Sequence, residues 1–132
     1  AVAIEKGLIV PVIKNADNLN LLGLARSMND LANRARTKKL MPEEVQGGTF
    51  SVTNVGVFGS LYGTPIINQP QVAILGVGVI KQRVVAINNT MAIRDMVYIS
   101  LGYDHRIVDG EMGGRFLQRI VQNLEEMDPE QV

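Results

Sequence analysis

The sequence contains no cysteine, no tryptophan and only one histidine. The lack of cysteine excludes disulfides, thiolate metal sites and a cysteine nucleophile, and it is compatible with a reducing compartment. With one histidine as well, we expect no transition-metal site. No apolar run approaches the ~20 residues that span a bilayer. Because 13 basic residues balance 13 acidic ones, we also expect no nucleic-acid surface and no anionic-membrane surface.

The first residues lack the pattern of a signal peptide, which is a basic region followed by an apolar core. Ala1–Gly7 instead has the character of a strand and carries no initiator methionine. We therefore expect the sequence to be a fragment of a longer protein. Its 132 residues, of which 46% are hydrophobic, are sufficient for one domain with one core.

Hydrophobic periodicity predicts two long amphipathic helices. Apolar residues recur at helical spacing from Leu21 to Ala35 and again from Met112 to Leu124. Asp109 is a suitable N-cap for the second helix, and Asp128-Pro129 marks its expected end. Between the long helices, Pro42-Glu43-Glu44 predicts a further short helical turn.

Apolar runs rich in β-branched residues predict five strands, at residues 7–13, 49–53, 72–79, 83–87 and 91–101. Pro11 cannot donate to a ladder, so the first strand should lie at an edge or break there. Asn88-Asn89 predicts a hairpin turn between the last two strands. Strands and helices in this mixed order predict an α/β fold whose sheet is covered by helices on one face.

The single histidine, His105, lies where the last strand connects to the second helix, in the run Asp104–Gly110 (Asp-His-Arg-Ile-Val-Asp-Gly). Connections of this kind often carry chemistry, and histidine is well suited to accept a proton near neutral pH. Asp109 could cap the helix, or pair with Arg106 or another arginine and so hold the loop rigid. A catalytic base and a histidine without catalytic role fit the spacing equally well.

Four blocks of the sequence together resemble the dihydrolipoamide acyltransferases, the core subunits of 2-oxo acid dehydrogenase complexes. Residues 104–110 are similar to that family's His-Arg-x-x-Asp-Gly signature, and residues 7–17 resemble a segment from the middle of its catalytic domain. Residues 47–54, and residues 63–68 with 70–76, resemble the segments that follow. The blocks occur in the family's order. By this resemblance, residues 1–132 are the C-terminal portion of one catalytic domain, without its N-terminal part and without the lipoyl and subunit-binding domains.

The resemblance implies a two-layer α/β sandwich like that of chloramphenicol acetyltransferase, with a mixed sheet and helices on one face. It implies homotrimers that assemble into a larger core, with active sites shared between chains. The decarboxylase and dihydrolipoamide dehydrogenase components would bind through the absent domains. The expected location is a bacterial cytoplasm or a mitochondrial matrix.

The implied reaction is acyl transfer between dihydrolipoamide and coenzyme A. Coenzyme A is a substrate, and lipoamide is carried on a domain absent from this chain. His105 would be the general base that removes the thiol proton of coenzyme A. Thr53 stands where the family has a serine or threonine whose hydroxyl donates to the oxyanion. Asp109 matches an acid of the family and would hold the loop through an arginine pair, with direct contact to His105 as its second role.

The acyl group and two alternative functions stay open. Residues 56–61 resemble succinyl-transferring members, whereas residues 93–97 resemble branched-chain members and Glu111 stands where many succinyl enzymes have arginine. This balance slightly favours branched-chain or broad acyl specificity. One alternative is a coenzyme A-dependent acetyltransferase acting on a small molecule, against which the blocks at 47–54 and 64–76 argue. The other is a structural core or assembly fragment without activity of its own.

Overall fold

The structure is a computed structural model that describes residues 1–128. It divides into two compact units, one formed by Ala1–Ser51 with the residues from 118 onward and the other by Val52–Leu117. Within the described residues the strands are β1 Val2–Ile4, β2 Gly7–Ile9, β3 Ser51–Asn54, β4 Ala73–Val77, β5 Lys81–Ile87, β6 Thr90–Met96 and β7 Ile99–Tyr103. The two α-helices are α1 Leu21–Arg36 and α2 Gly110–Glu125.

The first unit begins with an antiparallel hairpin of β1 and β2, in which Val2 pairs with Ile9. The predicted strand over residues 7–13 is correct only as far as Ile9. Beyond it the chain leaves the ladder before Pro11, which has no N–H to donate. The backbone N–H of Val12 donates instead to the carbonyl of Glu44 at 2.7 Å.

Helix α1 confirms the first predicted amphipathic helix. Asn20 caps it, accepting a hydrogen bond from the backbone N–H of Gly23 at 2.9 Å. Its apolar stripe buries Leu31 and Ala35, as expected for a helix that packs one face against a core. The predicted short turn is also present, as a 3-10 helix over Pro42–Val45.

A bidentate ion pair ties α1 to this 3-10 helix. The Nη1 and Nη2 groups of Arg34 each donate to one carboxylate oxygen of Glu44 at 2.6 Å, and Nε donates to Asp30 at 2.8 Å. Glu44 also accepts from the backbone N–H of Met41 at 2.8 Å. The Arg34 guanidinium, and secondarily the Met41 N–H, lower the pKa of Glu44 to about 2.

The second unit contains a three-stranded sheet in the order β3-β4-β7. Its central strand, β4, carries the best buried segment of the chain, Ala73–Leu75. Strands β4 and β7 are antiparallel, with Ala73 opposite Tyr103 and Val77 opposite Ile99. The central strand therefore fixes the position of β7 residue by residue.

A separate hairpin of β5 and β6 confirms the predicted turn at Asn88-Asn89. Both asparagines have positive φ, 49° and 63°, which is the requirement of a two-residue type I′ turn. The prediction of a single strand over 91–101 is wrong, because the chain forms two strands there, separated at Val97-Tyr98. The first of these strands pairs with β5 and the second with β4.

Helix α2 begins after Asp109, as predicted, and ends at Glu125; Pro129, part of its predicted stop, lies outside the described residues. Gly113 is buried, and a Cβ added there would lie 2.7 Å from a ring carbon of Tyr103. The missing side chain therefore permits the ring to approach the helix. No helix within residues 1–128 is long and apolar enough to cross a membrane.

The two neighbouring glycines of α2 give a matched test of this packing. Nothing lies within 4 Å of a Cβ added at Gly114, so Gly114→Ala should raise the free energy of unfolding by up to about 1 kcal/mol through helix propensity. Gly113→Ala should lower it, because overpacking against Tyr103 costs roughly 1–3 kcal/mol. Urea unfolding followed by circular dichroism measures both. A stabilising Gly113→Ala would contradict the close approach.

The ion pair of Glu44 predicts a pH-dependent stability. Its pKa lies well below the ordinary value of 4.5, so the stabilisation is fully present above pH 4.5 and is lost as the pH falls towards 2. Glu44→Gln should be less stable than wild type at pH 7, and the difference should narrow over that window. Urea unfolding between pH 7 and 2.5 measures it, with the exposed neighbour Glu43→Gln as control. Equal pH dependence of wild type and Glu44→Gln would refute the prediction.

Candidate active site

The sheet of the second unit carries the chain directly to His105. Strand β7 ends at Tyr103, and the next backbone N–H, of Asp104, donates to the carbonyl of Val72 at 2.9 Å. This bond continues the β4–β7 pairing by one residue. His105 is exposed, and it is the first residue beyond that last tie to the sheet.

A tight turn then connects His105 to α2. The carbonyl of Asp104 accepts from the backbone N–H groups of Ile107 at 3.0 Å and Val108 at 2.9 Å. Asp109 caps the helix, because its Oδ1 accepts from the backbone N–H of Met112 at 2.8 Å. The capping role considered from the sequence is therefore confirmed.

The arginine pair predicted for Asp109 is made by a different acid. Arg106 donates through Nε to Oδ1 of Asp104 at 2.9 Å and through Nη2 to Oδ2 at 2.6 Å. Arg106 is therefore wrong as the predicted partner of Asp109, since a residue two positions away reaches Arg106 more directly than a carboxylate engaged in a helix cap. A pair of Asp109 with another arginine stays a prediction. Arg106, with the backbone N–H of the same residue second, lowers the pKa of Asp104 to about 2.

The imidazole of His105 rests beside an aromatic ring. The ring centroids of Tyr103 and His105 are 5.5 Å apart with an interplanar angle of 44°, within the range of favourable aromatic contacts. Among the described residues, His105 makes no hydrogen bond. Its nitrogens are therefore available to a substrate, while Tyr103, packed on Gly113, supports one side of the ring.

An open pocket of about 660 Å³ lies at His105. Its further lining residues are Ile66, Ile67, Gln69, Tyr103, Asp104 and Arg106. Ile66 is 91% exposed, so the pocket has an apolar wall facing solvent beside the imidazole of His105. An apolar wall with a few polar groups is the usual composition of a small-molecule site. No three histidine, aspartate or glutamate side chains within residues 1–128 lie close enough together to hold a metal ion.

Thr53 lies in the same sheet as His105 and is not brought into contact with it. It is half-buried on β3, and β4 separates that strand from β7. Adjacent strands lie ~4.8 Å apart, so the two outer strands are separated by about 10 Å. The side chain of Thr53 makes no hydrogen bond to His105 within the described part of the chain.

The sequence contained a signal for one feature of the site that was not predicted, the packing of Tyr103 against Gly113. Two glycines inside the second helix cost about 1 kcal/mol each relative to alanine, and this cost indicates a close approach, which Gly113 provides for Tyr103. No comparable signal identified Ile66, Ile67 or Gln69 as pocket residues. They precede the buried strand β4 by several positions, and only the tertiary fold brings them to His105.

Comparison with known proteins gives a consistent result. The whole chain, residues 1–132, matches the family model described as 2-oxoacid dehydrogenases acyltransferase (catalytic domain). Over 132 residues it is 47% identical to the Bartonella vinsonii dihydrolipoyllysine-residue succinyltransferase component of the 2-oxoglutarate dehydrogenase complex. The alignment covers 100% of this chain and 32% of that protein. The chain is 50% identical to the Bacillus subtilis protein of the same name over 133 residues, or 31% of it. Mitochondrial relatives, including the human protein at 47%, are also similar.

Solved structures agree with the sequence comparison. A probable dihydrolipoamide acetyltransferase from Listeria monocytogenes superimposes with a TM-score of 0.93 at 45% identity, covering 99% of this chain and 58% of that one. The dihydrolipoamide acetyltransferase of Azotobacter vinelandii gives 0.91 at 41% identity, covering 95% and 51%. These likenesses confirm the predicted α/β fold class.

The chain spans about a third of the length of the curated relatives that it matches and about half of the solved chains. The match to the family model nevertheless extends over all 132 residues. The chain therefore belongs to the 2-oxoacid dehydrogenase acyltransferase family, whose catalytic domain it matches.

Proposed function

We propose that the protein to which this chain belongs transfers acyl groups between dihydrolipoamide and coenzyme A in a 2-oxo acid dehydrogenase complex. The observation that carries the proposal is the exposed imidazole of His105 in an open, apolar-walled pocket, in a chain of the acyltransferase family. Residues 1–132 would be the C-terminal portion of the catalytic domain. Family membership counts against the alternative of an acetyltransferase for unrelated small molecules.

In the proposed mechanism, His105 is the general base. A thiol with a pKa of ~8.5 is mostly protonated near neutral pH, and its thiolate is the nucleophile. His105 takes the thiol proton of coenzyme A while the sulfur bonds to the carbonyl carbon of the acyl-dihydrolipoamide thioester. The carbonyl becomes an oxyanion. Its collapse breaks the bond to the dihydrolipoamide sulfur, which takes the proton from the imidazolium.

Thr53 is proposed as the oxyanion donor. In the Azotobacter vinelandii acetyltransferase, whose study concerned a serine, a histidine and an asparagine in the catalytic mechanism, the serine precedes the histidine by the same number of residues that separates Thr53 from His105. A threonine hydroxyl can donate as a serine hydroxyl does. Because β4 separates the two strands within one chain, we propose that each complete site combines His105 of one copy with Thr53 of another.

Asp109 is proposed as a supporting residue and not as a proton-transfer group. The asparagine of the Azotobacter vinelandii enzyme follows its histidine by four residues, as Asp109 follows His105. Asparagine caps a helix about as well as aspartate does. The shared ability is therefore hydrogen-bond acceptance, which Asp109 supplies to the N–H of Met112, and it does not require a negative charge.

Substrate and partners are proposed from the relatives. We propose succinyl as the acyl group, because sequence relatives at 46–50% identity are succinyltransferases, although residues 93–97 and Glu111 had favoured a branched-chain group. The cubic core of a pyruvate dehydrogenase complex superimposes with a TM-score of 0.90, which supports assembly into a larger core. We propose that this core is built from homotrimers, as the resemblance implies. Lipoamide would be carried to His105 on a domain outside these residues. The decarboxylase and dihydrolipoamide dehydrogenase components would bind through such absent domains, in a bacterial cytoplasm or a mitochondrial matrix.

Substitution of the two proposed catalytic residues tests the mechanism in the full-length protein. His105→Ala should lower kcat by roughly 100- to 10,000-fold, because the base is lost. Thr53→Val should lower it by roughly 100- to 1000-fold, whereas Thr53→Ser keeps the hydroxyl and should retain most activity. The assay follows acyl transfer to free dihydrolipoamide, with light scattering to verify assembly. Near-normal turnover of His105→Ala would contradict the general-base role.

A panel of acyl donors tests the substrate. With succinyl-, acetyl-, isobutyryl- and isovaleryl-coenzyme A, we expect the highest kcat/KM for succinyl-coenzyme A. A higher value for a branched donor would overturn the succinyl assignment and leave acyl transfer intact. Correct assembly without turnover of any donor would support the purely structural alternative instead.

A further inference from the structure

Asp104 organises the backbone on both sides of His105. Its N–H donates to Val72, and its carbonyl accepts from Ile107 and Val108. Its carboxylate oxygen Oδ1 accepts from the backbone N–H of Arg106 at 3.0 Å. One residue thus ties the turn to the sheet and closes it upon itself, while His105 makes no hydrogen bond among the described residues.

The carboxylate of Asp104 also pairs with the guanidinium of Arg106, the residue that directly follows His105. The side chain of Asp104 is 17% exposed, whereas that of Arg106 is 80% exposed. Hydrogen bonds from Arg106 keep Asp104 ionised far below neutral pH, and Asp104 in turn raises the pKa of Arg106. His105 therefore lies in sequence between a negatively charged Asp104 and a positively charged Arg106. These two side chains form an ion pair with each other at 2.6 Å.

The other groups near His105 contribute little competing charge. Ile66, Ile67 and Gln69 of the pocket cannot ionise. Tyr103 contacts the imidazole through its ring, and the carboxylate of Asp109 is engaged in the helix cap. Asp104 and Arg106 are therefore the two charged side chains that line the pocket beside His105.

We propose that Asp104 and Arg106 form a positioning pair for His105, which fixes the turn and cancels the two charges beside the base. The inference rests on the proposed function, since it concerns His105 as a base. Neither residue touches the reacting atoms. Their effect is on the orientation of the imidazole and on the pH range in which it accepts a proton.

Removal of one charge at a time should shift activity in opposite directions along the pH axis. In Asp104→Asn the unpaired Arg106 disfavours the imidazolium, so the midpoint of the acid limb of kcat/KM should move to lower pH. In Arg106→Gln the unpaired Asp104 favours the imidazolium, so the midpoint should move to higher pH. A unit charge ~6 Å away in a solvent-like environment shifts such a midpoint by about 0.5 pH units.

The experiment measures kcat/KM between pH 5 and 9 at low ionic strength, in the full-length protein with dihydrolipoamide and an acyl-coenzyme A donor. The double variant Asp104→Asn/Arg106→Gln should return the midpoint to that of wild type, with a reduced plateau because the turn is loosened. Arg106→Lys keeps the positive charge but loses the two-point hydrogen bonding of the guanidinium to Asp104. Only the plateau of kcat/KM should therefore fall in this variant, without a shift of the midpoint. Salt at 1 M should diminish the shifts.

Unmoved midpoints in Asp104→Asn and Arg106→Gln, with lowered plateaus only, would overturn the charge-balancing role. If Asp104→Asn does not fold by circular dichroism, the comparison of Arg106→Gln with Arg106→Lys decides, because both retain the backbone bonds of Asp104. His105→Asn separates the two hypotheses. Its near-normal turnover would overturn the proposed function, whereas its inactivity together with unmoved midpoints would overturn only the positioning pair.

Discussion

The antiparallel pairing of β4 with β7 is the constraint on which the candidate site depends. Five residue pairs, from Ala73 opposite Tyr103 to Val77 opposite Ile99, join the exposed edge of the site to the buried centre of the second unit. The N–H of Asp104 adds one more tie, to Val72. A register slip by one residue would turn Tyr103 to the other face, and His105 would lose its aromatic neighbour. Burial of the apolar β4 therefore fixes the position of the polar, exposed His105.

Local patterns in the sequence predicted the elements, whereas tertiary pairing decided their limits. The helical repeats of α1 and α2, the cap at Asp109 and the turn at Asn88-Asn89 each depend on a few neighbouring residues, so they were predictable. The segment 91–101, which was predicted as one strand, contains no glycine, proline or asparagine that would mark a break. Only its two different partners, β5 and β4, divide it.

The site was predictable to a similar limit. The motif singled out His105, and the resemblance singled out Thr53 and Asp109; the catalytic roles of these residues stay predictions. The acid that pairs with Arg106 was misassigned, because two acids lie within three residues of that arginine and spacing does not rank them. Rotamer and turn geometry select Asp104, which leaves Asp109 for the helix. The apolar wall at Ile66 and Ile67 comes from a loop, whose position depends on the whole second unit.

A crystal structure of the assembled full-length protein with coenzyme A bound would test the proposed active site most directly. The mechanism requires the thiol sulfur to lie about 3–3.5 Å from a ring nitrogen of His105. The hydroxyl of Thr53 from a neighbouring copy should face the position beside that sulfur where the carbonyl oxygen of the thioester becomes an oxyanion. A thiol bound in a different pocket, with another side chain as its nearest base, would contradict the mechanism.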